Sequence, residues 1–362
     1  HHLGGLIFSL GNIKDQAKAI NKFQDISKVP LLISMDAEWG IGMRLDDAFS
    51  FPYNMTLGAI KNDSLVYNVG KRIGYHAKRL GVHINFAPVV DINTNPRNPI
   101  IGSRSFGEDK FNVANKGISY LKGMHEYGIM GAAKHFPGHG DTETDSHKTL
   151  PTISFDKYRI NDVELYPFKK LIENNLDGIM TAHLNIPNLD KKEISTLSQK
   201  VINNLLVNDL GFEGLVITDA LDMKAIVDFS KGDYPDITAL NAGNDLLLMP
   251  TDVAKSIKEI KKAYQKNKIS PQRLESAVKK ILHAKYKAGL SDLKPIEIDN
   301  IVDDLNQDID YALLDRLAEE SITLVKNQNL NLPLDISNNQ SVGYVNFGDD
   351  SYNTFINYVN KY

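Results

Sequence analysis

Short apolar runs recur along the chain, each pair separated by enough residues for a helix. They fall at residues 6–9, 31–35, 84–90, 131–134, 178–182, 214–218 and 245–248, and each is near-continuous rather than alternating. Strands buried on both faces read this way, as in a parallel sheet covered by helices. The segments between them carry helical spacing. Residues 111–127 set Val113, Ile118, Leu121 and Met124 on or near one face, and Gly128 can end the helix. Residues 160–173 repeat the pattern with Val163, Leu165, Phe168 and Leu171. Ser270-Pro271 is an N-cap followed by proline at the first helical position. Leu274, Val278, Ile281 and Leu282 then form a face, and Gly289 closes that helix.

Strand and helix alternating over about 290 residues predict an α/β fold, a (β/α)8 TIM-like barrel. Seven runs are one short, so the first strand is expected before residue 1. A doubly wound open sheet is the structural alternative. It asks for a glycine-rich phosphate turn after its first strand, whereas Gly4-Gly5 precedes it. The barrel is assigned to residues 1–290. Residues 291–311, acidic at first and weakly patterned, read as a linker. Residues 312–362 read as the start of a C-terminal α/β domain or as a packed tail, since about 50 residues bury little core alone.

Composition removes several function classes. The net charge of −4 is spread without long blocks, so no nucleic-acid surface is indicated. No run reaches the roughly 18 apolar residues of a membrane helix. Cysteine is absent from the 362 residues, which excludes disulfides and thiol nucleophiles.

The candidate chemistry lies at the strand ends. Asp36 ends the second run, Asp91 follows the third, Lys134 and His135 end the fourth, His183 the fifth and Asp219 the sixth. In a (β/α)8 barrel these positions share one rim, the catalytic face. A helix N-cap is the competing explanation, strongest for Asp91. The densest polar stretch is Lys134-His-Phe-Pro-Gly-His-Gly-Asp-Thr-Glu-Thr-Asp-Ser-His147. It admits three readings. One is a metal site of His135, His139 and His147, although Pro137 keeps the first pair from stacking on a helix. Another is loop-ordering hydrogen bonds, the preferred role for His139. The third is acid–base chemistry by Asp145 and His147, because a carboxylate beside an imidazole fixes its tautomer and raises its basicity. Asp219, in an apolar strand end, is the nucleophile candidate: a carboxylate there can attack an anomeric carbon. Asp222 reads as a charge in the first turn of the following helix.

Four further motifs accompany that loop: Asp36-Ala-Glu-Trp-Gly40 with Arg44, Phe86-Ala-Pro-Val-Val-Asp91, Ile101-Gly-Ser-Arg-Ser-Phe-Gly107 and Thr218-Asp-Ala-Leu-Asp-Met223. Together they resemble the β-N-acetylglucosaminidases of glycoside hydrolase family 3, in order from Gly4 to about Gly289. The tail Ala318-Glu-Glu-Ser-Ile-Thr-Leu-Val-Lys-Asn327 with Leu332-Pro-Leu334 looks like the start of that family's α/β-sandwich domain. Members acting as β-glucosidases lack the histidine loop.

The resemblance implies a retaining, exo-acting hydrolase that removes terminal β-linked GlcNAc without a metal or other cofactor. Asp219 is the implied nucleophile, His147 the acid/base and Asp145 its partner. Asp36, Arg44, Arg104, Lys134 and His135 match positions that grip sugar hydroxyls, a task suited to charge-assisted hydrogen bonds. One departure stands out. Where many members have Glu-Gly-Gly-Arg, this chain has Glu38-Trp-Gly-Ile41, which removes an ionic contact. Trp39 is either a stacking platform for a sugar or a packing residue. A neutral histidine base does not repel an anionic acceptor, so a phosphorylase using the same residues is an alternative, as is the metal-dependent hydrolase. The resemblance also implies peptidoglycan fragments as substrate and leans toward the cell envelope. A GlcNAc-containing saccharide is the expected partner.

Overall fold

The computed structural model describes residues 3–143, 149–230, 235–327 and 357–358. Six parallel strands pair in sequence order: β1 (Gly5–Phe8), β2 (Leu32–Met35), β3 (Ile84–Asn85), β4 (Met130–Phe136), β5 (Gly178–Thr181) and β6 (Leu215–Thr218). Phe8 lies opposite Met35, Met35 opposite Asn85, Asn85 opposite Gly131, and Thr181 opposite Thr218. The register between β4 and β5 shifts between Ala133 and Phe136.

Alternate side chains leave opposite faces of such strands, and both faces are buried. Leu32, Ile84, Phe86, Met130, Ala132, Met180, Leu215 and Ile217 form one interior cluster, joined by Ala284 and Ala288 at the end of the helix Pro271–Lys287. Their neighbours Ile33, Met35, Ala133, Ile179 and Val216 point the other way, into the larger core that includes Ile73, Leu121 and Phe168. The sheet is thus a half-barrel with helices on its outside. The helices begin where the sequence supplies caps. Asn12, Asn62, Asp109 and Ser270 each accept a hydrogen bond from a backbone N–H of the first turn.

Three expectations need correcting. The run 84–90 is not one strand: Pro88 lacks an N–H for the ladder, so β3 stops at Asn85 and pairing resumes as a single bridge between Val89 and Lys134. The run 245–248 is likewise held by one bridge, Ile217 to Leu246, and by bonds from Thr218 N–H to Leu246 O and Leu221 N–H to Leu248 O. Among the described residues no pairing joins that run to β1.

The third correction concerns residues 291–311, which are packed rather than linking. Ile301 and Leu305 are wholly buried in the main core. Asp310, in the helix Asp308–Ser321, takes a bidentate pair from Arg72 at 2.7 and 3.0 Å. The first compact unit ends at Ile322 and the second begins at Thr323, later than the boundary expected at residue 290.

Candidate active site

Polar side chains from the ends of β2 and β4 interlock first. Lys134 Nζ lies 2.7 Å from Asp36 Oδ1 and 2.8 Å from Glu38 Oε1. Arg104, from the loop after β3, grips Glu38 with Nη2 at 2.7 Å and Nε at 3.0 Å. Arg44 closes the row on Asp36 Oδ2 at 2.8 Å. Glu38 is 1% exposed. Burial pushes its pKa up, but the charges and hydrogen bonds of Lys134 and Arg104 outweigh that and hold it well below the usual carboxylate range. Burial pushes Lys134 down, yet Asp36 and Glu38 raise it on balance. Glu38 therefore stays ionised, and Lys134 keeps its charge.

The next layer orders the loop after β4. Asp91 has no solvent exposure and is no helix cap. Its Oδ2 takes His135 Nδ1 at 2.7 Å, both oxygens lie 3.1 Å from the His135 N–H, and Oδ1 takes the His139 N–H at 2.7 Å. Burial raises the Asp91 pKa, and His135 with His139 lowers it further than that, so it stays ionised. His139 is buried, its Nδ1 2.8 Å from Thr142 Oγ1 and its carbonyl bonded by Asn98. Burial, with the His135 ring beside it, brings His139 down to about 4. Both glycines in this turn are required. Gly138 has φ +131°, and a Cβ at Gly140 would stand 1.8 Å from Ile92 O.

Asp219 completes the rim from the end of β6. Its N–H donates to Thr181 O at 3.0 Å and its Oδ1 accepts from the Ala220 N–H at 2.8 Å. Burial would raise its pKa; His135, His183, the Ala220 N–H and Lys134 together bring it below the ordinary value. His183 faces Thr196 Oγ1 at 2.8 Å and Ala220 O at 3.0 Å, so it steadies the turn that carries Asp219. Asp36, Arg44, Arg104, Lys134, His135 and Asp219 line one cavity of about 400 Å³. Its other wall is apolar, with Met180, Met223, Leu248 and Met249.

The structure thus brings together six of the eight residues named from sequence. The other two, Asp145 and His147, lie outside the described residues. Glu38 and Asp91 belong to the site but were not among the eight. Glu38 stood inside a quoted motif, and Asp91 shared its strand-end position with the others. Asp222 precedes the helix Lys224–Ser230 rather than lying in it, and lines the same cavity. Ile41 is fully buried in the core, and Trp39 packs edge-on against Tyr53 at 4.6 Å. For a metal, His135 is poorly disposed: Nδ1 is engaged by Asp91 and Nε2 lies 3.3 Å from the Arg104 guanidinium. Among the described residues no three His, Asp or Glu side chains are grouped as ligands.

Residues 1–284 match the family model of the glycosyl hydrolase family 3 N-terminal domain. The chain is 34% identical to β-hexosaminidase A of Pseudoalteromonas piscicida, over 92% of this chain and 61% of that protein. Among solved structures it resembles a family 3 β-N-acetylglucosaminidase of Paenibacillus sp. str. FPU-7, with a TM-score of 0.85, 36% identity, and 90% and 64% of the two chains covered. It also resembles the β-glucoside phosphorylase BglX, with a TM-score of 0.87, 25% identity, and 92% and 63% covered. The chain spans about three-fifths of the length of the first curated relatives it matches.

Proposed function

The chain belongs to glycosyl hydrolase family 3, and on that premise we propose that it carries the catalytic machinery of a retaining, exo-acting β-N-acetylglucosaminidase. On this reading the half-barrel is the larger part of a (β/α)8 catalytic domain, and residues near 323 begin a second α/β domain. The observation that carries the proposal is Asp219. It is an ionised carboxylate at a strand end, in the same cavity as the row Asp36, Arg44, Arg104, Lys134 and His135.

In the first step an Asp219 oxygen bonds to the anomeric carbon and the bond to the leaving oxygen breaks. That oxygen keeps the electron pair and takes a proton from His147, whose basicity Asp145 supports. In the second step water gives a proton to His147 and attacks the same carbon, which releases Asp219 and restores the β configuration. The charged row holds the sugar hydroxyls through both steps. Terminal GlcNAc on peptidoglycan fragments is the proposed substrate. The likeness to a phosphorylase supports a second reading, in which inorganic phosphate replaces water and the product is a sugar 1-phosphate.

A 5-fluoro GlcNAc glycosyl fluoride tests the core of this. Mass spectrometry of the digested protein should find the adduct on the peptide containing Asp219. Turnover of an aryl β-GlcNAc with an adduct elsewhere would reassign the nucleophile. Phosphate-dependent turnover yielding a sugar 1-phosphate would select the second reading.

A further inference from the structure

Asp91 touches neither solvent nor, on the proposed reading, the sugar, yet it is the common acceptor of two functional segments. We propose that Asp91 is a positioning residue: it fixes His135 as the Nδ1-protonated tautomer and pins the start of the histidine loop at His139. The inference rests on the proposed function only for its kinetic part; the tautomer follows from the contacts alone.

Those contacts leave one consistent arrangement. An ionised carboxylate only accepts, so the His135 nitrogen 2.7 Å from Asp91 Oδ2 must carry hydrogen. The other nitrogen, Nε2, lies 3.3 Å from Arg104 Nη2, a group that only donates. Nε2 therefore carries the lone pair at the cavity wall, where a sugar hydroxyl can donate to it only in place of the long Arg104 contact. The second duty falls to Oδ1, which takes the His139 N–H at 2.7 Å. One buried carboxylate thus sets both the His135 ring in the cavity wall and the backbone at His139, six positions before the proposed partner Asp145. An amide in its place could not do both, because its nitrogen donates where these partners also donate.

The test has a spectroscopic and a kinetic arm. Long-range ¹H–¹⁵N correlation spectra of the wild-type protein, assigned with His135→Gln, should show His135 protonated at Nδ1 and bare at Nε2 near neutral pH. In Asp91→Asn the Nε2-protonated form should become populated. KM for an aryl β-GlcNAc should then rise about tenfold, and kcat should fall further for a poor leaving group than for the aryl substrate. A wild-type His135 protonated at Nε2 overturns the inference. So does an Asp91→Asn protein of lowered melting temperature whose tautomer and KM are unchanged. Should that variant fail to fold, the wild-type spectrum still decides. Failure of Asp219 labelling alongside the expected tautomer sinks the proposed function and leaves the tautomer assignment in place.

Discussion

Replacing Glu38 with Gln removes one buried charge and almost no volume. Glu38 takes three charge-assisted bonds, from Lys134 Nζ at 2.8 Å and from Arg104 Nε and Nη2 at 3.0 and 2.7 Å. The amide keeps one acceptor oxygen and presents an N–H₂ to a cation. Removing one partner from a buried ionic cluster costs about 3 kcal/mol at the low end of its range, roughly two decades in the folded-to-unfolded ratio. Urea titration at pH 7 should show a lower midpoint with an unchanged slope. With Lys134 and Arg104 no longer held together, kcat/KM on an aryl β-GlcNAc should fall about a hundredfold. The pH dependence gives a second check. The Glu38 pKa is depressed in the folded state from an ordinary value of 4.5, because Lys134 and Arg104 outweigh the effect of burial. Its contribution is therefore complete above that ordinary value and is lost as pH falls toward the folded pKa. Gln does not titrate, so the gap between wild type and variant should hold from pH 7 to 5 and narrow below about 4.5. A gap under about 1 kcal/mol at pH 7, or one unchanged at pH 3, would refute a buried, doubly paired Glu38.

His147→Ala should reduce kcat on substrates with poor leaving groups by about 10²–10⁴ and spare aryl glycosides in the first step, because only the former need a proton there; equal losses on both would count against the acid role. Gly140→Ala forces a Cβ against Ile92 O and should lower stability by about 1–3 kcal/mol, with loss of activity greatest on the same poor leaving groups; full activity would show that the turn tolerates displacement. Asp310→Ala leaves the part-buried Arg72 and the wholly buried His76 without their shared carboxylate, and limited proteolysis should then cut near residues 305–321 far faster than in wild type, at a cost of about 3 kcal/mol. An unchanged digestion pattern would mean that the helix is held by its apolar face alone.

Much of the fold could be read from the apolar runs, because a parallel sheet buried on both faces leaves no alternation to hide them. β2, β5 and β6 lie inside their predicted runs, and β1 is offset from its run by one residue. What misled was the sequence treating every apolar stretch alike. Residues 84–90 are as apolar as a strand, but Pro88 removes a donor in the middle. Residues 291–311 looked like a linker because their charges dominate. In fact Ile301 and Leu305 supply the buried contacts, and Asp304 and Asp310 are paired with Arg79 and Arg72. Charge density at a helix surface says nothing about a carboxylate whose partner lies over 200 residues away in sequence.

The site was legible where a strand end carries an ionisable side chain and blind where a residue works through others. Asp36, Lys134, His135 and Asp219 each follow from position alone. Glu38 does not, and Asp91, though it follows a predicted strand, could not be told from a helix cap, since a wholly buried carboxylate looks the same in sequence as a surface one. Yet these two decide the electrostatics. Without Glu38, Lys134 and Arg104 lose the carboxylate they share. Without Asp91, no acceptor faces both His135 Nδ1 and the His139 N–H. The row that faces the cavity can stay charged and fixed because a second set of carboxylates lies behind it. On the proposed reading, in which the site binds a neutral sugar and Asp219 attacks it, those carboxylates let two cations and an imidazole stand together while Asp219 remains ionised.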